Sequence, residues 1–250
     1  MKVLIRGALI FRMDKKSPGC LLGRFTVVAM FLLVVGCGEK EPSVNTPEYR
    51  AAHGVVEGNV NIVEISGVLF RLPEDTDFDV YSSGVIQPGR ADRLTIRLYM
   101  DRRGLRDRKN FSTEGLTWID ISRMGDPNGR THLQIEQERL GLPTVRPSLG
   151  LVEYPLQEPV SQAEYSGSYI YVPYGESKGS VRELYCTVAW PKDPDKVNGD
   201  CRASYYLDSG LLVQVLFPYR ALVNWKSIMK AAVEEVERIE FKASARGGAL

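Results

Sequence analysis

Histidine is almost missing from this chain: His53 and His132 are the two in 250 residues. Neither has an acid or a nucleophile at a recognisable spacing, which excludes a His-rich zinc centre and leaves no Ser–His or Cys–His couple for nucleophilic catalysis. Cysteine is also sparse, at four residues. Neither sign of charge dominates, since 32 Lys and Arg stand against 31 Asp and Glu. No apolar run is long enough to cross a bilayer. The clearest, residues 25–35, would make a helix of about 16 Å against a hydrocarbon core of about 30 Å.

That short run has the flanks of an export signal. Lys15, Lys16 and Arg24 precede it, and Val34-Val35-Gly36-Cys37 closes it. A basic region, a short apolar region and small residues before a cleavage point describe a leader rather than a membrane span. Met13-Asp14-Lys15-Lys16 offers an ordinary start for it. Val34–Cys37 resembles the lipobox of bacterial lipoproteins. The resemblance implies that residues 1–36 are removed and that Cys37 carries a diacylglycerol and an N-acyl chain. One acyl chain binds membranes only marginally, so several make a durable anchor. Gly38, rather than Asp, follows the cysteine, which implies an outer-membrane anchor with the domain in the periplasm.

Without its leader the chain has 214 residues, 26 basic and 30 acidic, a formal net charge of −4. A slightly acidic domain argues against nucleic acid as a partner. In an oxidising compartment Cys186 and Cys201 are an even pair, and a disulfide is the natural reading over two buried thiols. Closing a loop of that length contributes roughly 3 kcal/mol in the chain-entropy model.

The fold class expected is α+β. It is mostly antiparallel sheet with one C-terminal amphipathic helix packed on it. Residues 37–58 read as a lipidated tether, 59–241 as a single domain and 242–250 as a disordered tail. Alternation of period two marks strands around Val60–Ile62 and Val68–Leu72, and most clearly over residues 92–100, with Leu94, Ile96 and Leu98 on one face. Residues 116–121 and 132–135 read as short strands, and 141–167, rich in Pro and Gly, as an irregular connection. Strands follow over 168–174 and 183–190, the latter with Leu184, Cys186, Val188 and Trp190 on one face. Asp208-Ser209-Gly210 then reads as a hairpin turn between two more. Residues 220–241 carry Leu222, Trp225, Ile228, Met229, Ala232, Val236 and Ile239 at helical spacing. Phe70–Pro73 followed by 94–100 echoes Ile170–Pro173 followed by 184–190, which allows two β-rich halves as readily as coincidence.

No candidate motif amounts to an active site. Gly175-Glu176-Ser177-Lys178-Gly179 matches G-x-S-x-G, but no histidine follows His132, so Ser177 reads as a loop serine. Asp75, Asp77 and Asp79 open like a calcium loop, yet Val80 and Ile86 stand where Gly and Glu are required. No cofactor and no metal are expected. Arg102, Arg103 and Arg106 form a basic knot after a strong strand. With Tyr81 and Tyr174, and with Tyr165 and Tyr169 as further aromatics, they are the candidate partner-binding residues, because Arg and Tyr anchor interfaces.

Cys201, Tyr205-Tyr206, Gly210-Leu211-Leu212-Val213, and Trp225 with Ile228 on a terminal helix resemble periplasmic immunity proteins encoded beside type VI secretion effectors. The resemblance implies a non-enzymatic lipoprotein that binds and neutralises a secreted toxin. The alternative is a structural or assembly lipoprotein of the envelope.

Overall fold

The computed structural model describes residues 42–44, 46–99, 116–123, 130–157, 165–175, 181–193 and 195–241. Cys37 with its leader, Arg102, Arg103, Arg106, Ser177 and the tail 242–250 lie outside them. Among the described residues no helix is long and apolar enough to cross a membrane.

The architecture is α+β, as its alternation implies. A two-stranded hairpin joins β1 (Asn61–Ile65) to β2 (Val68–Leu72). Nine further strands form one sheet: β3 (Phe78–Tyr81), β4 (Arg93–Tyr99), β5 (Leu116–Ser122), β6 (Thr144–Arg146), β7 (Leu151–Pro155), β8 (Ser166–Pro173), β9 (Leu184–Ala189), β10 (Asn198–Tyr206) and β11 (Leu212–Pro218). Their spatial order is β3-β4-β5-β11-β10-β9-β8-β7-β6, and every pairing is antiparallel. Two meanders therefore meet at one seam, where β11 pairs with β5 and Val215 lies opposite Ile119. The echo between the halves is not a structural repeat. Its first member, β2, belongs to the separate hairpin, whereas β8 pairs directly with β9.

One face of the sheet is the core. Leu94, Ile96, Leu98, Ile119, Ile121, Val213, Val215 and Phe217 are buried there. Each such side chain contributes about 1.5–3 kcal/mol by leaving water. The C-terminal helix covers this face. A 3-10 turn at Tyr219–Asn224 precedes the α-helix proper, Trp225–Ile239. The helix starts later than its apolar periodicity suggests, because Pro218 ends β11 in an extended conformation and no side chain caps the first turn. Trp225 Nε1 donates to Leu149 O at 2.9 Å. At the far end Glu240 leaves the helix, bridges to Phe70 and sends Phe241 N to Leu69 O at 2.8 Å, stitching the β1–β2 hairpin to the helix.

Three expectations change. The tether region ends in a helix, α1 (Pro47–Ala52). Thr46 Oγ1 caps it by accepting from Tyr49 N at 3.2 Å, and Pro47 suits a first helical turn. Tyr49 and His53 are buried against Ser82, so ordered packing begins before residue 59. Residues His132–Ile135 form a helical turn, α2, rather than a strand. Thr131 and Gln134 make a reciprocal capping box, and Glu183 accepts the N–H groups of His132 and Leu133. The 141–167 stretch contains β6 and β7. Glu153 hides the alternation of β7, being a buried carboxylate paired bidentately with Arg146 at 2.8 and 3.0 Å. With α2 and β6–β7 named, the Trp225–Ile239 helix is α3.

Candidate functional site

The β9–β10 hairpin is rigid at its base and aromatic at its tip. Cys186 and Cys201 lie directly opposite each other and are joined by a disulfide. Two residues further on, Gly199 sits so close to β9 that a Cβ there would collide with Thr187 O. Only glycine permits that approach. The loop beyond is closed by its own bonds: Asp193 N donates to Trp190 O at 3.0 Å, Val197 N to Asp193 O at 2.8 Å, and Lys196 Nζ pairs with Asp193 at 3.0 Å.

Trp190 turns out of the strand at this tip. Its φ is +54°, a left-handed conformation that is a genuine outlier for a bulky residue. Backbone strain of this kind costs on the order of 1–3 kcal/mol and persists only where the surroundings hold it. Here Trp190 N donates to Tyr165 O at 2.8 Å. The two rings meet edge to face at 5.0 Å with an interplanar angle of 90°. Lys196 Nζ stands 5.8 Å over the indole. Both rings stay open to solvent, Trp190 at 41% and Tyr165 at 51%. Alternation placed Trp190 on the inner face with Val188; the left-handed kink breaks the period and puts the ring outside.

Strand register says what shares this end of the sheet. Ala189 pairs with Ser166 and Asn198, Asp200 with Pro218, and Leu116 with Tyr99. β4 thus ends, and β5 begins, on the same side as the Trp190 tip, and the Arg102–Arg106 run lies between them in sequence. A charged network occupies the neighbouring corner. Arg97 pairs with Asp77 at 2.7 Å and with Asp79, Arg50 pairs with Asp79 at 3.1 Å, and Tyr99 donates to Asp77 at 3.0 Å. Burial works against the Arg97 charge, but the Asp77 and Asp79 carboxylates outweigh it and hold the guanidinium pKa above its ordinary value. Burial, then the bond to Asp77, raises that of Tyr99. Asp77 and Asp79, two of the acids that opened like a calcium loop, are therefore arginine ligands. Among the described residues no group of three His, Cys, Asp or Glu could hold a metal.

Of the candidate partner-binding residues, the two that the structure describes, Tyr81 and Tyr174, do not converge. Tyr81 and Tyr174 lie at the opposite end of the sheet, on β3 and just after β8. Six strand spacings, about 29 Å, separate those strands. Arg93 stacks over Tyr81 at 4.9 Å. Tyr169 packs partly against the core, and burial raises its pKa. Tyr165 is the one named aromatic that belongs to the tip.

The two histidines are structural. His53 is buried, with Nδ1 2.9 Å from Tyr49 O and Nε2 2.9 Å from Ser82 Oγ. His132 Nδ1 lies 2.8 Å from Glu183 Oε1, and its ring stacks on Tyr185 at 4.8 Å. A groove of about 370 Å³ opens on another side, lined by Glu64, Ser83, Arg90 and Asp92 among others. Its carboxylates are committed. Glu64 pairs with Arg90 at 3.3 Å, and Asp92 accepts from Ser83 N and Oγ at 2.6 and 2.7 Å, which holds its pKa below the usual range.

No family model matches the chain, and no curated protein matches it. Two solved structures resemble it. One is Smlt3025, an immunity protein of the Stenotrophomonas maltophilia type IV secretion system. The two are 12% identical, with 74% of this chain and 94% of that one covered at a TM-score of 0.41. The other is the Neisseria meningitidis iron-regulated outer membrane lipoprotein FrpD. It is 10% identical, with 80% of this chain and 99% of that one covered at a TM-score of 0.46. At these identities and scores the likeness assigns no role to any residue.

Proposed function

We propose that this chain is a lipid-anchored protein of the bacterial envelope that binds and neutralises a secreted effector without catalysing a reaction. The observation that carries the reading is the Tyr165–Trp190 pair. Trp190 stands in a strained conformation at the tip of a disulfide-clasped hairpin, and Tyr165, just before the adjacent β8, meets it edge to face with both rings half exposed. A ring already fixed in position loses little freedom on binding, so its buried area converts efficiently into affinity. Tryptophan and tyrosine in that setting are typical binding anchors. The leader and the lipobox at Cys37 support the compartment. Carboxylates engaged by Arg50, Arg90, Arg97 and Arg146 support binding over turnover.

Capture by the purified mature protein, from secreted and periplasmic fractions of its own organism, tests the reading. One toxic secreted enzyme should be retained, and Trp190→Ala should weaken retention by about 30-fold, as expected for an anchor worth about 2 kcal/mol. Retention of an envelope assembly component alone would instead establish a structural lipoprotein. Equal retention by the variant would remove the tip from the interface.

A further inference from the structure

The outer side of the β1–β2 hairpin sets exposed apolar side chains beside the charged Glu64 and Arg71. Ile62 and Leu69 are exposed on it, at 58% and 38%, with Val60 just before β1. Ile62 pairs with Arg71 and Glu64 with Leu69, so Ile62 and Leu69 are diagonal neighbours on one face. The bridge between Phe70 and Glu240 sets Phe241, 54% exposed, beside Leu69. Arg71 and Arg90 flank these residues, Arg90 being tied to Glu64. The exposed apolar area of these residues is on the order of 300–400 Å², within the range of the largest patch on an ordinary monomer.

The chain leading to the domain says what can cover it. From Cys37 to the helix cap Thr46 is nine residues, at most about 32 Å when fully extended and about 17 Å as a coil. α1 follows that cap directly. His53 O accepts from Gly89 N, and Gly89 O accepts from Glu64 N, so α1, the 89–91 segment and β1 are consecutive neighbours. A domain of this size has a radius of gyration of about 17 Å. A nine-residue leash joined at α1 brings that side, hairpin included, within reach of whatever holds Cys37.

We propose that the outer face of the β1–β2 hairpin, centred on Ile62, Leu69 and Phe241, rests on the phospholipid surface that anchors Cys37. The proposal relies on the acylation of Cys37 argued above. Apolar side chains sink into the headgroup boundary while Arg71 reaches the phosphates, the usual arrangement of an interfacial surface. Contact on this side leaves the Trp190 tip to a partner.

Single thiols test it. Cys37 is acylated and Cys186–Cys201 is bridged in the mature protein, so Ile62→Cys, Leu69→Cys and Leu142→Cys each offer one site for an environment-sensitive fluorophore. The acylated proteins are reconstituted in phosphatidylethanolamine–phosphatidylglycerol vesicles carrying lipids spin-labelled near the headgroup. Mass spectrometry verifies the acyl group, and a cooperative urea transition verifies folding. Labels at 62 and 69 should be quenched roughly twofold or more by shallow spin labels, and the label at 142 should not be. Equal solvent exposure at all three sites on acylated protein would overturn the proposal while leaving the anchor intact. Concentration-dependent shielding without lipid quenching would assign the face to a second copy and overturn it too. A bare thiol at position 37 would defeat the anchor and this proposal together.

Discussion

Trp190 offers a test in which two small substitutions should rank in the reverse of their normal order. Trp190→Ala and Trp190→Gly both delete the indole. Both lose its edge-to-face contact with Tyr165, worth about 0.5–1.5 kcal/mol. They differ in the backbone. At φ +54° a Cβ crowds the following carbonyl, at about 1–2 kcal/mol for an L-residue, and glycine is free of that. Glycine's extra freedom in the unfolded chain opposes this by about 0.4–1 kcal/mol. The balance favours the glycine variant over the alanine variant by about 0.5–1 kcal/mol, whereas alanine is the more stabilising residue at ordinary positions. With a urea slope near 2 kcal/mol/M, the unfolding midpoint of the glycine variant should lie about 0.25–0.5 M above that of the alanine variant. Partner retention should fall equally in both. An alanine variant as stable as the glycine one would mean that the tip carries no backbone strain, and the case for a preset anchor would fail with it.

Two further outcomes are expected. Reducing the Cys186–Cys201 bridge, which closes a separation of 15 residues, should cost about 3 kcal/mol and lower the urea midpoint by about 1.5 M; an unchanged midpoint would show that the hairpin is held by its ladder alone. Burial pushes the pKa of Glu183 up, but hydrogen bonds from the His132 side chain and from the Leu133 and His132 amides outweigh it, so the folded value lies below the ordinary 4.5. Its contribution is therefore present above about pH 4.5 and is lost as pH falls through the lowered value. The gap between the native protein and Glu183→Gln, about 1–3 kcal/mol at pH 7, should close on acidification. A gap independent of pH between 7 and 3 would contradict that assignment.

Much of the fold could be read locally. The alternation of β4 and the helical stripe on α3 are repeated many times over, so one polar intrusion does not hide them. Where a single buried polar group interrupts the pattern, the reading fails. Glu153 sits at a core position of β7 because Arg146 neutralises it from β6, a partner visible only after the strands pair. The 132–135 turn escapes local reading for a related reason: the carboxylate that supports its start, Glu183, is 51 positions along the chain from His132.

The candidate site divides the same way. Side-chain order along the chain carries the reading of the leader and of the setting of Cys37, and it sufficed for the even cysteine pair and the α+β class. These depend on contiguous residues or on periodicity within one element. Pairing of β5 with β11, exposure of Trp190 and the distance between Tyr81 and Tyr174 depend on which strands lie side by side and on one left-handed backbone turn. Period two tells which residues share a face of a strand. It says nothing of which end of a nine-stranded sheet they occupy, or of where a kink releases a ring from the face that its spacing assigns.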